Sequence, residues 1–88
     1  MTVIWKIALK PIDEQEIEVP IGSDFLCARE QGNEICVWFR CDPDEPNETH
    51  KVAIVGTGHP APESWKTRYL GMAMIHGGEL VFHVFLKT

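Results

Sequence analysis

The sequence predicts a mainly β fold, a small antiparallel barrel or sandwich of six to seven strands with at most one short helical turn. Three observations predict it: apolar residues recur with a period of two in successive short segments, glycine-centred turns join two pairs of these segments, and proline and acidic clusters separate the others. The 88 residues are read as a single domain, 1–88. A chain of this size buries only roughly 60–65% of its unfolded surface, so modest stability is expected.

In chain order, Val3, Trp5, Ile7 and Leu9 alternate with Ile4, Lys6, Ala8 and Lys10, which predicts a strand that Pro11 ends. Ile17, Val19 and Ile21 alternate with Glu16, Glu18 and Pro20 and predict a shorter strand, placed at an edge because Pro20 has no N–H to give to a ladder. Residues 25–30 and 35–41 flank a Gly32-Asn33 pair suited to a tight primed turn. With that pair at the tip, Leu26 and Ala28 share the core face with Ile35, Val37 and Phe39. Phe25, Cys27, Arg29, Cys36, Trp38 and Arg40 then share the outer face.

Residues 42–48 hold two prolines and no large apolar side chain and predict an exposed loop, after which a strand is expected over 51–55. A second loop is expected over 56–62, and 62–65 allow one helical turn. The last hairpin joins 68–75 to 79–86 across Gly77 and Gly78. Its register puts Tyr69, Ala73, Ile75, Leu80, Phe82, Val84 and Leu86 on one face, and Leu70, Met72, Met74, Val81, His83 and Phe85 on the other. Both faces are apolar, which predicts cover on both sides or contact with another subunit.

An apolar fraction of 44% with 24% charged residues is that of an ordinary globular protein, and no segment approaches the roughly 20 apolar residues of a membrane span. The first residues lack the charged start and long apolar stretch of a secretion signal, so a location in the host cytoplasm is expected. Cys27, Cys36 and Cys41 are odd in number and form no Cys-x-x-Cys pair, which fits reduced thiols. The net charge of −5 is divided unevenly: residues 1–48 carry eleven of the thirteen acids, whereas residues 49–88 carry a small basic surplus. Direct binding to nucleic acid is disfavoured.

Ile4-Trp5-Lys6, the acidic segment ending in Val19-Pro20, the Val37-Trp38 strand leading to Asp42-Pro43-Asp44, the Val55-Gly56-Thr57-Gly58-His59-Pro60 block and the closing Val81-Phe82-His83-Val84-Phe85 strand follow one another in a distinctive order. This order resembles a family of short uncharacterised proteins of bacteriophages and prophages, over nearly the whole chain. The resemblance implies a phage origin and carries over no reaction, substrate or active-site residue.

Four groups of residues are candidates for function. Gly56, Thr57, Gly58 and His59 follow a strand and offer backbone amides to an anion, with Arg68 as a further cation for a nucleotide-like ligand; the bland reading is a turn stiffened by Pro60 and Pro62. Phe25, Arg29, Trp38 and Arg40 combine aromatic and guanidinium groups as binding hot spots do, or form a second core layer with arginine stems over Trp38; Trp5 and Trp65 complete either arrangement. Met72, Met74, His83 and Phe85 form an apolar face in which His83 reads as a core or interface histidine rather than a general base. Asp42, Asp44, Glu45 and Glu48 form an acidic surface, solvated by default.

The histidines, at 50, 59, 76 and 83, show no His-x-x-x-His spacing, so no metal or other cofactor is expected. No Ser-His-Asp or Cys-His set stands out. The expected function is therefore that of a non-enzymatic phage or prophage binding protein, a modulator or inhibitor of a host defence component. It would act by binding a host protein or by sequestering a nucleotide-like small molecule in a homodimer or higher oligomer. The alternatives are a small phosphodiester hydrolase with His59 or His83 as base, and a minor structural or assembly protein of the phage particle.

Overall fold

The structure, a computed structural model, describes residues 1–63 and 65–88. Seven strands follow one another: β1 (Val3–Leu9), β2 (Glu14–Pro20), β3 (Asp24–Gln31), β4 (Glu34–Cys41), β5 (Asn47–Gly56), β6 (Thr67–Ile75) and β7 (Leu80–Lys87). They form two antiparallel sheets, β1-β4-β3 and β2-β5-β7-β6. The envelope of 39 × 31 × 16 Å is that of two layers about 10 Å apart. No helix long and apolar enough to cross a membrane is present among the described residues.

The period of two becomes the core directly. Leu9 of β1, Ile35, Val37, Phe39 and Cys41 of β4, and Phe25 and Ala28 of β3 line the inner face of the first sheet. Ile17 and Val19 of β2, Val52 and Ile54 of β5, Val84 and Leu86 of β7, and Leu70, Ala73 and Ile75 of β6 face them from the second. Pro20 ends β2, which lies at a sheet edge as its missing N–H requires. The first hairpin turns at Gly32 and Asn33 between the paired Gln31 and Glu34. Gly32 alone takes a positive φ, of 61°, the pattern of a II′ turn.

Two bulges alter the faces expected of the hairpins. In β3 the register shifts between Phe25 and Cys27, so Phe25 pairs with Phe39 and enters the core while Leu26 turns outward. In β6 it shifts between Tyr69 and Gly71, so Leu70 is buried and Tyr69 joins Met72 and Met74 outside. An alternation carried straight through either bulge assigns these two pairs of residues to the wrong faces. The acidic loop is also shorter than expected, since β5 begins at Asn47 and Glu48 belongs to the strand, opposite Val19. The helical turn expected over 62–65 includes Ser64, outside the described residues; Glu63 and Trp65 lie in bends.

The bulged strands meet where the sheets adjoin. Arg68 of β6 donates to the carbonyl of Phe25 in β3 at 2.9 Å. Three residues further along each strand, Gly71 lies against Ala28: a Cβ at Gly71 would stand 2.3 Å from the Ala28 carbonyl oxygen. Gly71 also has a φ of 143°, which side chains rarely adopt. Steric overlap and backbone strain together set the expected cost of Gly71→Ala at about 3 kcal/mol or more. Gly77→Ala, at φ 69° but with open space around it, is expected to cost only about 1 kcal/mol. Urea denaturation of both variants checks the difference, and equal losses would contradict the close approach.

Candidate functional site

The C-terminal ends of β1, β5 and β6 and the N-terminal ends of β2, β4 and β7 come together at one end of the sandwich. A cleft of about 530 Å³ opens there between the sheets, within the usual size range of small-molecule sites. Ile35, Ile54, Leu80, Val81 and Phe82 supply its apolar lining, and Asp13, Thr57, His59 and Glu79 supply its polar groups. A second groove of about 320 Å³ shares Asp13, Ile54, Gly56 and His59 with it and continues along Pro60, Ala61 and Pro62.

Both lips are held by hydrogen bonds. The Gln15 side chain clasps Lys10, donating from Nε2 to its carbonyl at 2.8 Å and accepting its N–H at Oε1 at 3.0 Å. Ile54 N–H donates to the Asp13 carbonyl at 2.8 Å, which ties the β1–β2 connection to β5. On the other lip, Thr57 N–H donates to Val81 O at 3.2 Å and His59 N–H to Gly56 O at 3.0 Å. The His59 ring lies over Gly56, its Cδ2 3.4 Å from where a Cβ would be.

Of the residues expected to hold a ligand, the structure brings Gly56, Thr57 and His59 to the cleft, but not Gly58 or Arg68. Two of the amides needed for an anion nest are already bonded to backbone carbonyls. Arg68 lies opposite Leu86, four residues along β7 from the Phe82 that faces Gly56, or about 13 Å at strand spacing. Within one protomer the phosphate-binding set is therefore not assembled. Asp13, Ile12 and Glu79, which the linear sequence does not connect with residues 56–59, are assembled there instead.

Residues 1–88 match a family described as a domain of unknown function, DUF7352. The chain belongs to this family. No curated protein and no solved structure matches it. The whole of the two-sheet sandwich, both lips of the cleft included, thus falls within the DUF7352 domain.

The other candidate residues of the DUF7352 chain divide between opposite outer faces. On the three-stranded sheet, the cross-strand rows are Ile4, Arg40 and Asp24; Lys6, Trp38 and Cys27; and Ala8, Cys36 and Arg29. Arg40 is paired with Asp24 at 2.9 Å, and Arg29 makes a longer contact with Glu30 at 3.7 Å. Phe25 is absent from this face because it packs inside on Phe39 and His50. The acidic loop is at the end away from the cleft, where Asp42 caps its own turn by accepting Asp44 N–H at Oδ1. Glu48 instead contacts His50 at 2.9 Å.

The outer face of the four-stranded sheet carries Tyr69, Met72, Met74, His83 and Phe85. His83 pairs with Met72 across the strands, and both ring nitrogens meet hydroxyls: Nδ1 lies 2.7 Å from Tyr69 Oη and Nε2 2.8 Å from Thr57 Oγ1. A neutral imidazole satisfies both contacts in either tautomer, since each hydroxyl can donate or accept. The Thr57 on the cleft rim is thereby tied to the outer face. The bulge at Leu70 brings Tyr69 to His83, a proximity that straight alternation conceals.

The three thiols also differ. Burial pushes the Cys36 thiol above its ordinary range, opposed by Lys6 and reinforced by Glu34; burial and then the Asp42 carboxylate raise that of Cys41. Cys27 is only partly buried. Maleimide labelling at pH 7.5 is expected to modify Cys27 first and to reach Cys36 and Cys41 only on unfolding. Because both raised groups favour the protonated thiol in the folded state, their contribution is complete below the unfolded value of 9.0. It is lost as pH rises from there through the folded values, so the melting temperature is expected to fall across that alkaline window, less steeply in Cys36→Ala.

Proposed function

We propose that this domain is a non-catalytic binding protein of the phage or prophage type, which modulates a host component, such as a defence system, by occupying it. The observation that supports this reading best is the end cleft: an apolar-lined opening with anchored lips and a few polar groups at its edge, the usual build of a recognition site. The outer face around Met72, Met74 and Phe85 adds apolar surface on which self-association or a partner protein fits.

One feature favours a hydrolase as the second reading. The Thr57–His83–Tyr69 chain places a hydroxyl 2.8 Å from an imidazole nitrogen, within the reach required of a nucleophile and its base. That reading requires turnover that is abolished in His83→Ala.

Affinity capture from host lysate, with mass spectrometry of proteins and small molecules, tests the binding reading against Leu80→Trp, which fills the cleft from a half-exposed position. The expected result is a saturable ligand or partner, recovered chemically unchanged from the parent protein and depleted about tenfold or more in the variant, as for loss of a central contact. Equal recovery from both would remove the cleft from the account, and recovery of a converted product would favour the hydrolase.

A further inference from the structure

We infer that the end cleft is a site for an organic ammonium: an apolar chain or ring that enters between the sheets and a cationic head that stays at the rim. This deepens the binding reading above and rests on it. The lining residues include Asp13 and Glu79 and neither lysine nor arginine. Among the described residues, neither of those two carboxylates has an ion-pair partner, whereas Asp24, Glu30, Glu48 and Glu14 each meet a cationic or imidazole group. The adjoining groove shares Asp13 and adds Glu14, which Lys51 already meets at 3.7 Å, so the unpaired negative charge at the opening is that of Asp13 and Glu79.

Apart from the His59 imidazole, which lies over Gly56, the donors that Thr57 and His59 bring to the cleft are already engaged, which disfavours an anion. Thr57 Oγ1 is engaged by His83 and Thr57 N–H by Val81 O, while His59 N–H is taken by Gly56 O. An entering carboxylate or phosphate would meet two uncompensated acids and find these backbone donors occupied, a like-charge approach that opposes binding. An ammonium would find acceptor-only carboxylates at a water-accessible rim, while its hydrocarbon part displaces water from Ile35, Ile54 and Phe82.

Three probes of one shape, hexylammonium, hexanol and hexanoate, separate the charge preference from the existence of the site. Each is titrated into the full chain at low salt, with NMR shifts of Ile35, Ile54 and Phe82 as the readout. Hexylammonium is expected to saturate those shifts about tenfold more tightly than hexanoate, as exchanging like-charge repulsion for exposed ion pairing allows. The preference is expected to shrink to about twofold in Asp13→Asn/Glu79→Gln and to fade at 0.5 M salt. Equal or tighter binding of hexanoate would overturn the ammonium assignment and leave the cleft as an apolar site. Failure of all three probes to saturate the cleft resonances would overturn both. Unchanged melting of the double variant, whose two carboxylates are exposed, confirms that any lost preference is local.

Discussion

The backbone contact between Gly71 and Ala28 is the constraint on which the arrangement of the two sheets depends. No hydrogen-bonded ladder links β3 to β6, so their spacing is set by sterics and by the Arg68 bond to the Phe25 carbonyl. A side chain at position 71 would force the strands apart. The bulges in the same strands follow from the same approach, because each extra residue sharpens the local bend and lets an edge strand lean toward its neighbour. They also bring Phe25 and Leu70 into the core.

Closure along β3 and β6 leaves the sandwich open at its two ends, and the chain treats these ends differently. The end holding the 42–46 turn is polar, and Asp42 spends its carboxylate and carbonyl on local backbone groups. The other end keeps apolar side chains from both sheets within reach of solvent beneath Asp13, Thr57, His59 and Glu79. Apolar walls exclude water poorly when the mouth is open, but they lower the dielectric next to the rim, so the two unpaired acids act more strongly there than on a flat surface. His83 links this rim, through Thr57, to Tyr69 on the outer face.

Most of the fold was legible because it depends on alternation and turn chemistry, which are local. The strand over residues 3–9, the edge position given by Pro20 and the pairing of Ile75 with Leu80 about the glycine turn all follow from that pattern. Bulges are illegible to it, since an inserted residue in one strand is detectable only against its partner. The three-residue spacing of buried residues, Phe25 to Ala28 and Leu70 to Ala73, is their signature once burial is known. The candidate site was legible only in part. Gly56, Thr57 and His59 attract notice as a loop after a strand, whereas Asp13 and Glu79 are connector residues far away in sequence, and only the order of strands around the sandwich joins them. Arg68 follows the glycine loop in sequence, but its place along β6 commits it to the Phe25 carbonyl.

The most direct test is nuclear Overhauser spectroscopy of the uniformly labelled protein, directed at the Gly71 α protons. The close approach predicts strong cross-peaks from them to the backbone protons about Ala28, across a boundary where no sheet ladder runs. Cross-peaks from β6 confined to β7, and from β3 confined to β4, would show that the sheets are not closed along this line and would contradict both the fold and the cleft built on it.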